Sequence, residues 1–186
     1  TPETDQTTIT VIESPTIDLG PTLSACSNNP SIDLIATTTI ATSALWYGGA
    51  GTFSPSNIGL NVNYTPTAGE VASGSIMLYA NSAGMGSCNA VTDSVLINFT
   101  PSPTADAGTD QSVCANNAEV LLNGNVTVAT GGTWSGGSGL FNPNQNALNV
   151  IYSPTAAEIA NGSIILTLTT TNNGNCNFET DQVTIT

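Results

Sequence analysis

No lysine, arginine or histidine occurs in these 186 residues, against 13 aspartates and glutamates, and the formal charge is -13. The cations that grip phosphate are missing, which argues against nucleic acid as a partner and against attraction to an anionic membrane. The same gap narrows the chemistry. Without His or Lys, no Ser-His-Asp triad, Schiff base, His-ligated zinc or Lys-to-Asn isopeptide crosslink can be built, and the remaining acids and bases are carboxylates, Tyr and Cys. The expectation is a protein that is not an enzyme. No run of about 18 apolar residues exists to span a bilayer, and no basic segment precedes an apolar stretch as in a signal peptide. Direct membrane insertion is therefore not expected, and an export signal or anchor is expected outside this stretch. Aromatic residues make up only 5% of the chain, and helix signals are nearly absent.

What is present repeats at an offset of 88 residues. Cys26, Trp46, Phe53, Tyr64, Pro66, Glu70 and Cys88 recur as Cys114, Trp134, Phe141, Tyr152, Pro154, Glu158 and Cys176 without insertion or deletion, the signature of a tandem array. Thr4-Asp5-Gln6 and Thr8-Ile9-Thr10 return at twice that offset as Thr180-Asp181-Gln182 and Thr184-Ile185-Thr186. The organisation expected is a closing strand of a preceding copy plus linker over residues 1–13, a first repeat over 14–100 and a second over 101–186, within a longer array.

Within each repeat, short segments with apolar residues at every second position alternate with clusters of Gly, Asn, Ser and Pro, the pattern of half-buried antiparallel strands and turns. The inward faces read Ile32 and Leu34, then Leu60, Val62 and Tyr64, then Ile76 and Leu78, then Val95 and Ile97. The second copy reads Val120 and Leu122, then Leu148, Val150 and Tyr152, then Ile164 and Leu166, then Val183 and Ile185. Threonine, about one residue in six, suits a pleated surface with one wet face. The fold class expected is all-β: tandem immunoglobulin-like β-sandwich domains in a linear array. A single helical turn is expected after Pro66 and again after Pro154, ended by Gly74 and Gly162. Prolines at Thr100-Pro101-Ser102-Pro103, and at Glu13-Ser14-Pro15, predict stiff connectors and a semi-rigid rod lengthening by about 35 to 40 Å per repeat.

Four cysteines, two per repeat and none in a CxxC, read as a disulfide framework of an oxidising compartment. Bonds from Cys26 to Cys88 and from Cys114 to Cys176 would each contribute roughly 4 kcal/mol by loop closure. In a standard sandwich, however, Cys26 precedes the second strand and Cys88 sits in the last hairpin, at opposite poles. A bond between repeats, Cys26 to Cys176, therefore competes. The bond within a repeat is favoured because the alternative leaves terminal units with free thiols.

Other recurring residues have bland and functional readings. Trp46 and Trp134, with Phe53, Phe141, Tyr64 and Tyr152, are candidate core; each Trp could instead face a sugar. Glu70 and Glu158 read as carboxylates at a helix end rather than as half of a hydrolase pair. Asp18 and Asp106 beside the connector, with Asp93 and Asp181 on the closing strand, are the candidate calcium ligands, against carboxylates that accept turn hydrogen bonds. No other cofactor is expected. Tyr47-Gly48-Gly49-Ala50-Gly51 and Ser135-Gly136-Gly137-Ser138-Gly139 read as hairpin turns that need positive φ, not phosphate loops. Asp93-Ser94-Val95 resembles an O-glycosylation triplet of Bacteroidota, with Ser94 facing outward.

The run Pro103-Thr104-Ala105-Asp106-Ala107-Gly108, then Asp110-Gln111-Ser112-Val113-Cys114, Gly132-Thr133-Trp134-Ser135, Tyr152-Ser153-Pro154-Thr155-Ala156-Ala157-Glu158-Ile159 and Thr180-Asp181-Gln182-Val183-Thr184-Ile185-Thr186 resembles the tandem repeats of giant Bacteroidota cell-surface adhesins. The nearest kind is the SprB-type gliding-motility adhesin, cargo of the type 9 secretion system. The likeness covers essentially the whole chain, and PKD-like and immunoglobulin-like modules of other secreted proteins share it. It implies structural stalk repeats of an exported, outer-membrane-associated filament for gliding motility and surface attachment. The partners implied are neighbouring repeats of the same chain, export and motility machinery, and a substratum or surface polysaccharide met through a distal region. The alternative is a glycan-binding module that acts by avidity.

Overall fold

The structure is a computed structural model that describes residues 2–186. These residues fall into two compact units. One runs up to Ala25 and resumes over Pro30–Phe99; the other takes Cys26–Asn29 together with Thr100–Thr186. Four residues of the first repeat therefore belong to the second unit.

The first unit is built from strands β1 (Thr16–Asp18), β2 (Leu23–Cys26), β3 (Ile32–Ile35), β4 (Thr37–Thr39), β5 (Ser43–Tyr47), β6 (Thr52–Ser54), β7 (Asn61–Thr65), β8 (Ser75–Ala83) and β9 (Thr92–Thr100), with one short helix, α1 (Ala68–Ala72). One sheet has the order β2-β9-β8-β5, the other β3-β7-β6, and β1 pairs with β4. Those two ladders are the two sheets of an immunoglobulin-like sandwich, and α1 connects β7, the central strand of one, to β8, an inner strand of the other. Alternation fixes which side chains face in. Leu34, Trp46, Val62, Tyr64, Leu78, Val95 and Ile97 are buried in one core, with Ile32, Phe53, Leu60 and Ile76 packed at its margin.

The second unit repeats this with β10 (Thr104–Asp106), β11 (Val120–Asn123), β12 (Asn125–Thr127), β13 (Gly131–Ser135), β14 (Leu140–Asn142), β15 (Asn149–Ser153), α2 (Ala156–Asn161), β16 (Ile164–Thr171) and β17 (Thr180–Ile185). Its sheets are β13-β16-β17 and β11-β15-β14, with β10 on β12. Registers are carried over at the repeat offset: Ile32 lies opposite Tyr64 as Val120 lies opposite Tyr152, and Trp46 opposite Ala80 as Trp134 opposite Leu168. Val120, Leu122, Trp134, Val150, Tyr152, Leu166, Leu168, Val183 and Ile185 form its core. The fold class is all-β and immunoglobulin-like.

The helical turns begin one residue later than the prolines predict. Thr67 and Thr155 are the N-caps, and each closes a capping box with Glu70 or Glu158. Gly162 ends α2 in the left-handed region at φ 73°, whereas Ser73 caps α1 and Gly74 follows it at φ 81°. Residues 2–15 form no strand, and Ile9, Val11 and Ile12 are exposed. A strand without a neighbouring ladder leaves its main-chain groups unpaired, so the sequence match to Thr180–Thr186 does not by itself make one.

Candidate functional site

The site that sets this chain apart is the four-residue segment Cys26–Asn29, held in the second unit by a disulfide and a set of asparagine hydrogen bonds. It leaves the end of β2, and a turn closes it with Asn29 N–H donating to the Cys26 carbonyl at 3.0 Å. Ser27 N–H donates to the Thr100 carbonyl at 2.9 Å. Cys26 is bonded to Cys176, 150 residues away in sequence, and is fully buried. Asn28 and Asn177 grip each other reciprocally: Asn177 N–H donates to Asn28 Oδ1 at 3.1 Å, and Asn177 Nδ2 donates to the Asn28 carbonyl at 2.9 Å. Asn28 Nδ2 donates to Glu179 Oε1 at 2.8 Å and to the Asn177 carbonyl at 3.3 Å, while Asn29 Nδ2 donates to the Asn175 carbonyl at 3.2 Å.

The favoured pairing within each repeat is therefore not formed. Its failure has a geometric cause. Cys26 lies at the Thr100 end of β9, whereas Cys88 lies in the loop that enters β9 at Thr92. Nine residues of strand separate the two ends, roughly 26 Å at about 3.3 Å per residue, and a disulfide requires Cα atoms within about 7 Å. The second unit poses the same obstacle: Val113, next to Cys114, bonds Thr186 at one end of β17, and Cys176 precedes Thr180 at the other. Cys88 and Cys114 are free thiols, the first partly exposed and the second exposed.

The aromatic candidates sit inside. Trp46, Trp134, Tyr64 and Tyr152 are fully buried, and each indole N–H has an acceptor, the Gly59 carbonyl at 2.9 Å or the Leu148 carbonyl at 3.2 Å. A sugar-facing role for either Trp is ruled out by that burial. Phe53 and Phe141 are only partly buried and lean on Tyr64 and Tyr152, with ring centroids 4.8 and 4.7 Å apart.

Each repeat also carries a Tyr-Glu pair that the sequence reading did not connect. Tyr64 donates its hydroxyl to Glu70 Oε1 at 2.8 Å, and Tyr152 donates to Glu158 Oε1 at 2.7 Å. The same oxygens accept the Ala50 and Ser138 amides, both at 2.7 Å, while the phenolic oxygens accept from Gly51 and Gly139 at 2.9 Å. Burial, then the hydrogen bond to the carboxylate, pushes both tyrosines up to about 12. Burial alone would raise Glu158, but the Thr155 and Ser138 amides and the two hydroxyls outweigh it and hold the carboxyl down at about 2; Glu70 is lowered for the same reasons. The glycine loops serve this pair. Gly48 and Gly136 take φ near 105°, as hairpin turns require, but a Cβ on Gly49 or Gly137 would collide with the phenolic oxygen. The sequence signal was the repeated T-x-x-E of the capping box; the approach of a loop to a distant hydroxyl had none. Both carboxylates are consumed by structural hydrogen bonds rather than set up as a hydrolytic pair.

The calcium candidates are likewise engaged. Leu19 N–H donates to Asp93 Oδ2 at 2.9 Å and Gly20 N–H to Asp18 Oδ1 at 2.8 Å; Ala107 and Gly108 do the same for Asp181 and Asp106 at 2.8 and 2.9 Å. These are the turn hydrogen bonds of the competing reading, and among the described residues no three His, Cys, Asp or Glu gather to hold a metal ion. Ser94 is exposed on β9. No helix among the described residues is long and apolar enough to cross a membrane.

No known protein family matches the chain, and no curated protein matches it. Similar solved structures are multi-domain β proteins. The insect immune protein hemolin is 10% identical with a TM-score of 0.45, covering 92% of this chain and 46% of its own. A Drosophila N-cadherin fragment, EC1-4, is 12% identical with a TM-score of 0.42, covering 93% and 49%. The I67-I69 fragment of the titin I-band is 11% identical with a TM-score of 0.39, covering 92% and 65%. The chain thus spans about half to two thirds of the solved chains it resembles.

Proposed function

We propose that the two repeats are structural stalk modules of a long exported adhesin filament on the cell surface, of the kind Bacteroidota use in gliding motility and surface attachment. Each would occupy one length of a fibre, with the substratum met by a distal region, and the chain would be type 9 secretion cargo anchored at the outer membrane. The domain limits in such an array are residues 14–100 and 101–186, with the linker prolines Pro101 and Pro103 at the start of the second.

The observation that carries this reading is the Cys26–Cys176 bond. Tension that enters at the N-terminal end reaches Cys26, passes through two sulfur atoms to Cys176 and leaves by the last ten residues. The chain between them, a sequence separation of 150, is bypassed. A covalent detour of that span is useful to a module that is pulled, and gives a ligand-binding loop nothing. Composition fits as well. The charge of -13 keeps neighbouring fibres apart, over a Debye length of roughly 8 Å at physiological salt, and discourages pairing between exposed strand edges in a chain without lysine.

One feature favours the glycan-binding alternative: Tyr47 and Tyr79 stack on the outer face of β5 and β8, ring centroids 5.6 Å apart, each about 40% exposed. The second repeat has Ser135 and Thr167 at those positions, so this platform is not copied and cannot accumulate avidity along an array. A glycan array decides between the two. The stalk reading expects no saturable binding; binding that is lost in Tyr47→Ala and Tyr79→Ala would replace it.

A further inference from the structure

Asparagine followed by glycine is the dipeptide most prone to lose its side-chain amide, because glycine has no Cβ to hinder attack by its own main-chain nitrogen. The chain has three such pairs: Asn123-Gly124, Asn161-Gly162 and Asn173-Gly174. We propose that Asn173 is a self-modifying site, which in the folded chain converts to isoaspartate and aspartate far faster than Asn123 or Asn161. The inference rests on the geometry of one loop and not on the stalk reading.

The fold protects two of the pairs. Gly124 N–H donates to the Leu148 carbonyl at 2.9 Å, and a Cβ there would meet Trp134 and Leu168, so its nitrogen is tied and its surroundings are packed. Its asparagine, Asn123, lies on β11 opposite Asn149 of β15. Gly162 N–H donates to the Ile159 carbonyl at 3.2 Å where α2 ends. Either nitrogen can attack only after local opening of an ordered element, which costs free energy.

The third pair stands open, in the loop between β16 and β17. Cys176 N–H closes a turn on the Asn173 carbonyl at 3.1 Å, and the second position of such a turn carries an N–H that the turn does not use. That position is Gly174. Its N–H has no acceptor among the described residues, and an added Cβ would meet nothing within 4 Å. It takes φ 60°, where glycine is at ease. The Asn173 side chain is loosely held: Nδ2 donates to the Thr170 carbonyl at 3.2 Å, while Oδ1 is buried without a donor. A buried acceptor left unpaired disfavours that arrangement, so little opposes rotation of the amide toward Gly174. The first repeat has Met85-Gly86 at these positions, so the site belongs to the second repeat alone.

The reaction needs only water. The Gly174 nitrogen gives up its proton and bonds to Asn173 Cγ; the Cγ–Nδ2 bond breaks, and Nδ2 leaves as ammonia with a proton, closing a cyclic imide. Water then opens the ring at either carbonyl. Opening at Cγ yields aspartate, and opening at the main-chain carbon yields isoaspartate, whose main chain runs through Cβ and Cγ. No group is oxidised or reduced. The change falls on the loop that holds Cys176, bonded to Cys26, and in which the Asn175 carbonyl accepts from Asn29 Nδ2 at 3.2 Å. An isoaspartyl linkage lengthens the main chain just before those contacts and adds a carboxylate, so the grip on Cys26–Asn29 loosens as the protein ages.

The test ages the oxidised chain in mildly alkaline buffer and measures conversion at each asparagine by peptide mass spectrometry, with electron-transfer fragmentation to tell isoaspartate from aspartate. The proposal expects Asn173 to convert at least about tenfold faster than Asn123 and Asn161, and the three rates to converge in the reduced chain in denaturant. Asn173 no faster than the other two in the folded chain, or an equal lead kept in denaturant, overturns it. An intact Cys26–Cys176 link and an unchanged circular dichroism spectrum show that the aged chain is folded. Chains that carry isoaspartate, separated by their added charge, should lose the Cys26–Cys176 link to a thiol reductant at least about threefold faster than fresh chains. Equal rates would overturn the effect on the link.

Discussion

Pulled by its two ends, the oxidised chain should yield very little length. The Cys26–Cys176 link closes off 150 residues, which leaves about 36 of the 186 on the force path. At up to about 3.6 Å per residue, the exposed portion can extend by no more than roughly 130 Å, while some 540 Å stays hidden until the link is cut. The assay is single-molecule force spectroscopy on the Cys88→Ser/Cys114→Ser chain with handles at both termini, run before and after a thiol reductant. Before reduction only the peeling of β1, β2 and the last strand should register. After reduction two further steps should follow, each somewhat under about 320 Å, the contour of one 88-residue repeat. Two full-length steps from the oxidised chain would refute the covalent bypass, and with it the mechanical reading. The same link also contributes to equilibrium stability. With the first unit folded, β2 and β9 are neighbours in one sheet and Ser27 bonds Thr100, so the loop closed when the second unit unfolds runs from about Thr100 to Cys176. A loop of about 76 residues corresponds to about 4.5 kcal/mol in the chain-entropy model. Cys176→Ser should then lower the melting temperature of the second unit by roughly 20 °C or more.

Other perturbations probe the repeated features. Glu158→Gln leaves one face of the side chain offering an N–H to the Thr155 or Ser138 donors, and should cost about 1–2 kcal/mol in urea unfolding. Because Glu158 sits near 2 rather than its ordinary 4.5, its contribution is present above about 4.5 and is lost as the pH falls toward 2. Acid titration of stability should flatten over that window in the Gln variant. Tyr152 has the opposite sign: raised from 10 to about 12, it contributes below pH 10 and is lost as the pH climbs to 12. Gly137→Ala drives a methyl into the Tyr152 hydroxyl and should cost about 1–3 kcal/mol, whereas Gly69→Ala, with nothing closer than 3.9 Å, should be neutral or slightly stabilising. Calcium should leave melting unchanged beyond the effect of ionic strength, because Asp18, Asp93, Asp106 and Asp181 already accept main-chain N–H groups; a saturable upward shift that chelation reverses would contradict this.

The sandwich was legible because period-two alternation at Leu34, Val62, Leu78 and Val95 is a local property of each strand, and the offset to the second copy repeats it. Trp46 and Trp134 were readable as core for a related reason: a large apolar side chain in the middle of a strand has few other places to go. The cystine map was not legible. Any bond between a first and a second cysteine respects the repeat, and only the length of β9 excludes Cys26–Cys88. The free thiols that weighed against a link between repeats are what Cys88 and Cys114 turn out to be. The calcium reading and the turn reading could not be separated in the sequence, because an aspartate next to a turn looks the same whether it binds a cation or an amide. Glu70 and Glu158 were correctly placed at a helix end, but their bond to a tyrosine six residues back depends on how the chain turns between strand and helix. The match of residues 4–10 to the closing strand foretold a strand, yet strand formation needs a neighbour that sequence identity does not supply.

The most direct test is a disulfide map of the monomer. With free thiols alkylated, a protease that cuts after Asp and Glu should isolate Cys26 in 19–33, Cys88 in 71–93, Cys114 in 111–119 and Cys176 in 159–179. The account predicts 19–33 joined to 159–179, with alkylated Cys88 and Cys114. Peptide 19–33 joined instead to 71–93 would contradict it.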